Sequence, residues 1–348
     1  DVPGDHPLRG LAATRLMQDT KRLSEAATEI KQGCVQALGV IGDCDEDPID
    51  VEIRNALVQC GEELADTQSK RFALIALGQV SGRPGKGAGN PIGGLDAKKG
   101  NPRSYLMEQV AKAQSGTRCW AAIGLAILER SLDDAKQTSS SDAKRALRES
   151  LRESRTPDEV GAYAIAVGIT RDTAAQEILR EKLESTSQDE ARGYCAVGLG
   201  LLNDRQAIEP IQEIITKSKY KPDLLKSAAI GLGLLGDKKI VDNLVGMLAE
   251  ATGLSSQAAI ASALGFIGDA RSVDPLIAML QDDQKTALAR GFAAAALGIV
   301  ADKEDLPWNT KVSVNINYRA NTTTLTNLGW KISGNTLAVE LRLPEVRL

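Results

Sequence analysis

Residues able to do acid–base, nucleophilic or metal chemistry are few in this sequence, and their spacing decides what they are for. The single histidine, His6, stands between Pro3 and Pro7 near the N-terminus. A Ser–His or Cys–His pair within the body of the chain is therefore excluded, because base and nucleophile must lie within hydrogen-bond reach. Cys34, Cys119 and Cys195 each stand five residues before a glycine, at the place held elsewhere by Ala73, Ala228, Ile260 and Ala293. That pattern makes them substitutes for small apolar core residues. They recur in non-adjacent segments and so neither bridge nor share a metal; Cys44 and Cys60 remain as the pair that could. Asp43-Cys-Asp45-Glu-Asp47 imitates the start of a calcium loop, but Pro48 occupies the place of the required glycine and Arg54 that of the closing glutamate. It reads as a solvated connection. Gly85-Lys86-Gly87 lacks the Gly-Lys-Ser/Thr ending of a phosphate loop after a strand. No catalytic, cofactor-binding or metal-ligating residue is assigned on these grounds, and the chain is expected not to be an enzyme.

The composition points the same way. Apolar residues make up 43% of the 348 positions but aromatics only 3%, so the core must be built from Ala, Leu, Ile, Val and Gly. Small side chains suit thin, closely spaced helical layers. A net charge of -4 offers no general attraction to phosphate backbones, so no nucleic-acid partner is expected. No run of 18 apolar residues exists, so no membrane span is expected.

The elements that must position these residues announce themselves by repetition. Ile260-Ala-Ser-Ala-Leu-Gly-Phe-Ile-Gly-Asp269 returns as Ala228–Asp237, Cys195–Asp204 and Cys34–Asp43. Looser copies centre on Gly78, Gly124, Gly168 and Gly298. The eight anchor glycines, from Gly39 to Gly298, are spaced by 39, 46, 44, 32, 33, 32 and 33 residues. A period in this range means stacked supersecondary units. Only Gly or Ala stands two positions before each anchor, and glycine within a helix costs up to about 1 kcal/mol relative to alanine. Close approach of neighbouring backbones accounts for that cost. The aspartate four residues after the anchor (Asp43, Asp172, Asp204, Asp237, Asp269, Asp302) falls where the next helix begins and is expected to cap it. One active site has no use for six spaced copies.

Between repeats the second pattern is equally regular: Ile208, Ile211, Ile214 and Ile215 match Val241, Leu244, Met247, Leu248 and Val273, Leu276, Met279, Leu280. Each set marks one helix face. Pro210 and Pro275 fall in the first turn, where a missing N–H costs little. The stretch 82–102 is rich in glycine and proline and reads as an insertion that lengthens one repeat. After Asp302 the period changes to two, with Val312, Val314, Ile316 and Tyr318 alternating with polar residues.

The phrase Ala-x-Ala-Leu-Gly-x-Ile-Gly-Asp followed by Val-x-Pro-Leu-Ile-x-x-Leu resembles HEAT repeats, of the short type also found in phycobilin lyases. The resemblance covers about residues 25–302. It implies an all-α, armadillo-type fold: a right-handed α-solenoid of about eight helix pairs over 1–302, followed by an extended or β-like tail over 303–348. It also implies that the Ala-Leu-Gly helices line the concave side, and that the family is mainly a binding scaffold with a few enzymes. Ile75, Ile165, Val197 and Ile230, three residues before their anchors, together with Trp120, are then the candidate groove contacts; sideways packing of the four isoleucine and valine side chains against neighbouring repeats is the equal alternative. Val312, Val314, Ile316, Tyr318 and Trp330 are the candidate tail contacts, and self-assembly or a protein partner would use groove and tail. The expected function is a non-enzymatic protein-binding scaffold or assembly subunit. A bilin lyase-like enzyme is the alternative, and a nucleic-acid binder akin to HEAT-like DNA glycosylases comes third. The missing start methionine and the Asn- and Thr-rich tail, which resembles the ends of exported bacterial HEAT-repeat proteins, lean the localisation to exported after removal of a targeting segment.

Overall fold

The computed structural model describes residues 7–21, 28–85, 101–137, 139–218, 221–303, 331–332 and 335–336. The described part of residues 1–303 is helical throughout: α1 (Pro7–Lys21), α2 (Thr28–Ile41), α3 (Pro48–Glu63), α4 (Thr67–Gly82), α5 (Pro102–Lys112), α6 (Ser115–Asp134), α7 (Ser141–Glu153) and α8 (Pro157–Ile169). There follow α9 (Gln176–Ser185), α10 (Asp189–Leu201), α11 (Ile208–Lys217), α12 (Pro222–Leu235), α13 (Val241–Glu250), α14 (Leu254–Ile267), α15 (Val273–Gln281) and α16 (Ala287–Lys303). Proline opens α3, α5, α8 and α12, and Pro210 and Pro275 stand third in α11 and α15, within the first turn as the sequence predicts. Lys331–Ile332 (β1) pairs antiparallel with Asn335–Thr336 (β2). The tail residues Val312, Val314, Ile316, Tyr318 and Trp330, and most of the glycine-rich insertion, lie outside the described residues.

Cα packing divides the chain into two compact units, one of residues 1–186 with 201–204, the other of 187–200 with 205–348. Within the first, α1, α3, α5 and α7 pack on α2, α4, α6 and α8 respectively, and α2, α4, α6 and α8 pack on one another in series. Within the second, α11, α13 and α15 pack on α12, α14 and α16, and α12, α14 and α16 form the series. Each unit is an α-solenoid stack of helix pairs.

The even-numbered helices carry the repeated glycines, and there the chain backbones meet. A Cβ placed on Gly231 would lie 2.5 Å from Ala196 O, and one on Gly200 would lie 2.7 Å from Gly231 O. Cβ atoms on Gly78, Gly124 and Gly233 would likewise run into the backbones of Gly124, Leu74 and Phe266. Close approach is thus the reason these glycines sit inside helices. The glycine three residues after the anchor does a different job. Gly236 (φ 67°) and Gly268 (φ 65°) close α12 and α14 in the left-handed region, and Asn203 (φ 54°) and Arg171 (φ 49°) hold the same turn without glycine.

The repeated aspartate keeps its expected role in one copy and takes another partner in others. Asp269 does accept from Arg271 N at 2.9 Å, yet Asp172 makes no side-chain cap. It takes both oxygens to Arg148 Nη1 at 2.8 Å instead. Asp204 takes Arg180 Nη1 at 2.7 Å and Asp237 takes Gln212 Nε2 at 2.5 Å. In each pair a donor on the first helix therefore grips the carboxylate just beyond the second. In the α13–α14 pair the polarity is inverted: Arg271 bridges Asp269 and Asp242, the latter on α13. Asp172, Asp204, Asp237 and Asp269 are all buried, so a directional partner on the adjacent helix compensates more desolvation than a cap alone.

Candidate functional site

Five apolar positions on the even helices are the candidate groove contacts, and four of them are held inside the stack. Ile75 is 8% exposed, Trp120 7%, Ile165 6% and Val197 5%. Ile230 in α12 is half-buried. For Ile75, Ile165 and Val197 the cause is composition: around them in α4, α8 and α10 runs of apolar or small residues occupy every side of the helix and are buried on every side. Trp120 meets Phe72 edge to face, with ring centroids 5.8 Å apart and planes at 70°. What stays partly open is a row on α12, where Lys226, Ile230 and Leu234 follow at four-residue steps and are each half-buried. Burial pushes the Lys226 amine below its ordinary range, against the pull of Asp223.

The Asp43–Asp50 stretch corrects the reading of a solvated connection. Asp43, Asp45 and Asp50 are buried, with one carboxylate oxygen of each within 4.8 Å of the others. Asp43 N donates to Asp50 Oδ1 at 2.9 Å, Asp45 N to Asp43 Oδ1 at 3.3 Å and Asp47 N to Asp45 Oδ1 at 3.0 Å. Buried Arg54 donates to the carbonyls of Asp43 (2.6 Å) and Asp45 (2.8 Å). These three aspartates are the described residues that could present oxygens to a metal ion, and one oxygen of each already accepts a backbone N–H group that folds the loop. Sequence reasoning weighed this stretch against one calcium-loop template and did not foresee that Arg54 would anchor it from α3.

Burial disfavours the thiolate of Cys34, Cys44 and Cys119. All five cysteines are buried and none is in a disulfide, so Cys44 and Cys60 are not bridged. Burial raises Cys44 to about 11 and Cys119 to about 12, which keeps both protonated and unreactive. Sequence reasoning missed Glu129, wholly buried in α6. Burial raises its pKa, while the Ser140 amide and Arg103 oppose the shift. Arg103 Nε reaches Oε1 at 2.6 Å and Ser140 N reaches Oε2 at 2.6 Å, so one carboxylate pins the starts of α5 and α7 to α6. The sequence signal was a Glu placed directly after the uncharged run Cys119–Leu128.

With the glycine seam and the repeated pairs described, the family comparison falls on the best-formed copy. Residues 256–282, from α14 through α15, match the model of the PBS lyase HEAT-like repeat. The chain carries HEAT-like repeats. No curated protein matches it. In the matched HEAT-like copy lie the left-handed Gly268, the junction aspartate Asp269 and Pro275, whose counterparts Gly236, Asp237 and Pro210 stand in neighbouring copies. No helix among the described residues is long and apolar enough to cross a membrane.

Proposed function

We propose that this HEAT-like chain is a non-enzymatic protein-binding scaffold or assembly subunit, which recognises an apolar segment of a protein partner along its even-numbered helices. The observation that carries the reading is the half-open row Lys226–Ile230–Leu234 on α12, set in a stack whose other candidate contact positions are buried. Stacks of this kind offer extended surfaces rather than single hollows. A row with two apolar side chains between half-buried neighbours suits the apolar face of a bound segment. The matched repeat supports a scaffold and equally fits the bilin lyase-like alternative, which takes its name from the same repeat type.

The test uses the full chain as bait in the native source, with Ile230→Glu beside it. The expected result is one protein captured by the wild type and lost by the variant, at an unchanged thermal midpoint. A bilin that binds with a visible absorbance shift, with no protein captured, would overturn the scaffold reading in favour of the lyase-like one.

A further inference from the structure

Among the described residues, α2 of the first unit and α16 of the second each show an open face, and the two faces fit each other in the register seen at Gly39, Gly200 and Gly265. At Gly39, Gly200 and Gly265 the nearest neighbour is the residue two before the next anchor glycine: Ala76, Gly231 and Ala296. The helices run side by side in the same direction, since Gly193 faces Ser227, Ala196 faces Gly231 and Gly200 faces Leu234. Gly298, the last anchor, has nothing within 4 Å of a built Cβ, and neither has Gly291 two turns earlier. Gly291, Ala294 and Gly298 are exposed and share one face of α16 with Ala301.

At the other end, α2 has no helix on the side away from α4 among the described residues, and that side is apolar. Ile30 is 54% exposed and Val40 64% exposed, with Gly33 and Ala37 between them at the same three- and four-residue steps. Ala37 stands two before Gly39, the position that Gly39, Gly200 and Gly265 each receive from the helix that follows. Placing Ala37 on Gly298 in that register sets Ile30 on Gly291, Gly33 on Ala294 and Val40 on Ala301. Large meets small at both ends of the contact.

We infer that these faces are two halves of one interface, in which α16 of one copy receives α2 of a second copy of this chain, head to tail. The contact continues the interface that already joins α14 to α16 and α2 to α4, and backbone approach at glycine supplies its packing. Because the two faces differ, the association is heterologous and does not stop at two copies unless a ring closes. It goes beyond the scaffold reading and is independent of it, since Ile230→Glu leaves both end faces intact.

The test is sedimentation of the full chain over a concentration series, with Val40→Lys and Gly298→Lys. Both positions are exposed, and a thermal midpoint at or above that of the wild type shows that the fold is kept. The wild type is expected to gain mass beyond a dimer as concentration rises, and each variant alone to stay monomeric. An equimolar mixture of the two variants is expected to form a dimer and nothing larger, because one intact half remains on each. A wild type monomeric at every concentration, or an association that either variant leaves untouched, overturns the inference. So does a monomer in which Ala294→Cys is shielded from maleimide, which would assign the α16 face to another part of the same chain.

Discussion

Glu129 joins three helices through one carboxylate, and its environment sets how much that joint is worth. It is wholly buried, and its partner Arg103 is mostly so, with a side chain 17% exposed. Breaking a buried pair strands the remaining charge, so Glu129→Ala is expected to lose roughly 3–5 kcal/mol in urea denaturation. Glu129→Gln, which can still accept from one donor, is expected to lose less. The thiols give a second residue-level expectation, in alkali. Cys119 and Cys44 have folded pKa values of about 12 and about 11 against 9.0 in the unfolded chain, both chiefly through burial. A raised folded pKa contributes stability that is fully present below 9.0 and is lost as pH rises toward the folded value. The thermal midpoint should therefore fall between pH 9 and about 12. Cys119→Ala, the residue type that other repeats carry there, should flatten the fall; an equally steep profile in the variant would count against the assignment.

Among the elements, the glycines divide into those that touch a neighbour and those that do not. Gly231 has Ala196 O at 2.5 Å from where its Cβ would stand, whereas Gly246 in α13 has nothing within 4 Å. Gly231→Leu is expected to wedge α10 from α12 at a cost of roughly 1–3 kcal/mol. Gly246→Ala should gain about 0.5–1 kcal/mol, the ordinary helix preference. Two denaturation curves decide it, and midpoints shifted the same way would refute close approach. The seam was legible because glycine in a helix interior carries a cost, and its return at one place in each repeat points to close approach there. The contact stripe was legible as apolar, with exposure and packing against the neighbouring repeat both left open. Periodicity places Ile75, Ile165 and Val197 on a helix face, yet whether the neighbouring repeat covers that face depends on packing distances that sequence spacing does not contain. Likewise Asp172, Asp204 and Asp237 were placed correctly at the helix junction, but their donors Arg148, Arg180 and Gln212 sit a full helix earlier and are of differing type. Asp43 and Asp45 read as solvated because charge normally is, and Arg54 alters that only through the fold.

On the scale of the whole molecule, contacts limited to near neighbours predict uneven cooperativity. The chain forms two compact units, and stacked repeats unfold as neighbouring blocks rather than as one body. With Trp308 and Trp330 replaced by Phe, emission reports Trp120 in the first unit, while far-ultraviolet circular dichroism reports all helices. Gly231→Leu is expected to move an early dichroism transition and leave the Trp120 midpoint in place; coincident shifts in both signals would show a single cooperative body. The grip between the first helix of a pair and the carboxylate beyond the second has one more consequence, for how such a gene can grow. Arg180 and Asp204 lie 24 positions apart, inside one copy of the period. A tandem duplication of that period would carry donor and acceptor together, so the inserted pair would arrive with its own closure and orphan no charge in the pairs on either side. Lengthening by whole copies is then nearly silent, whereas an insertion that separates a donor from its carboxylate is not.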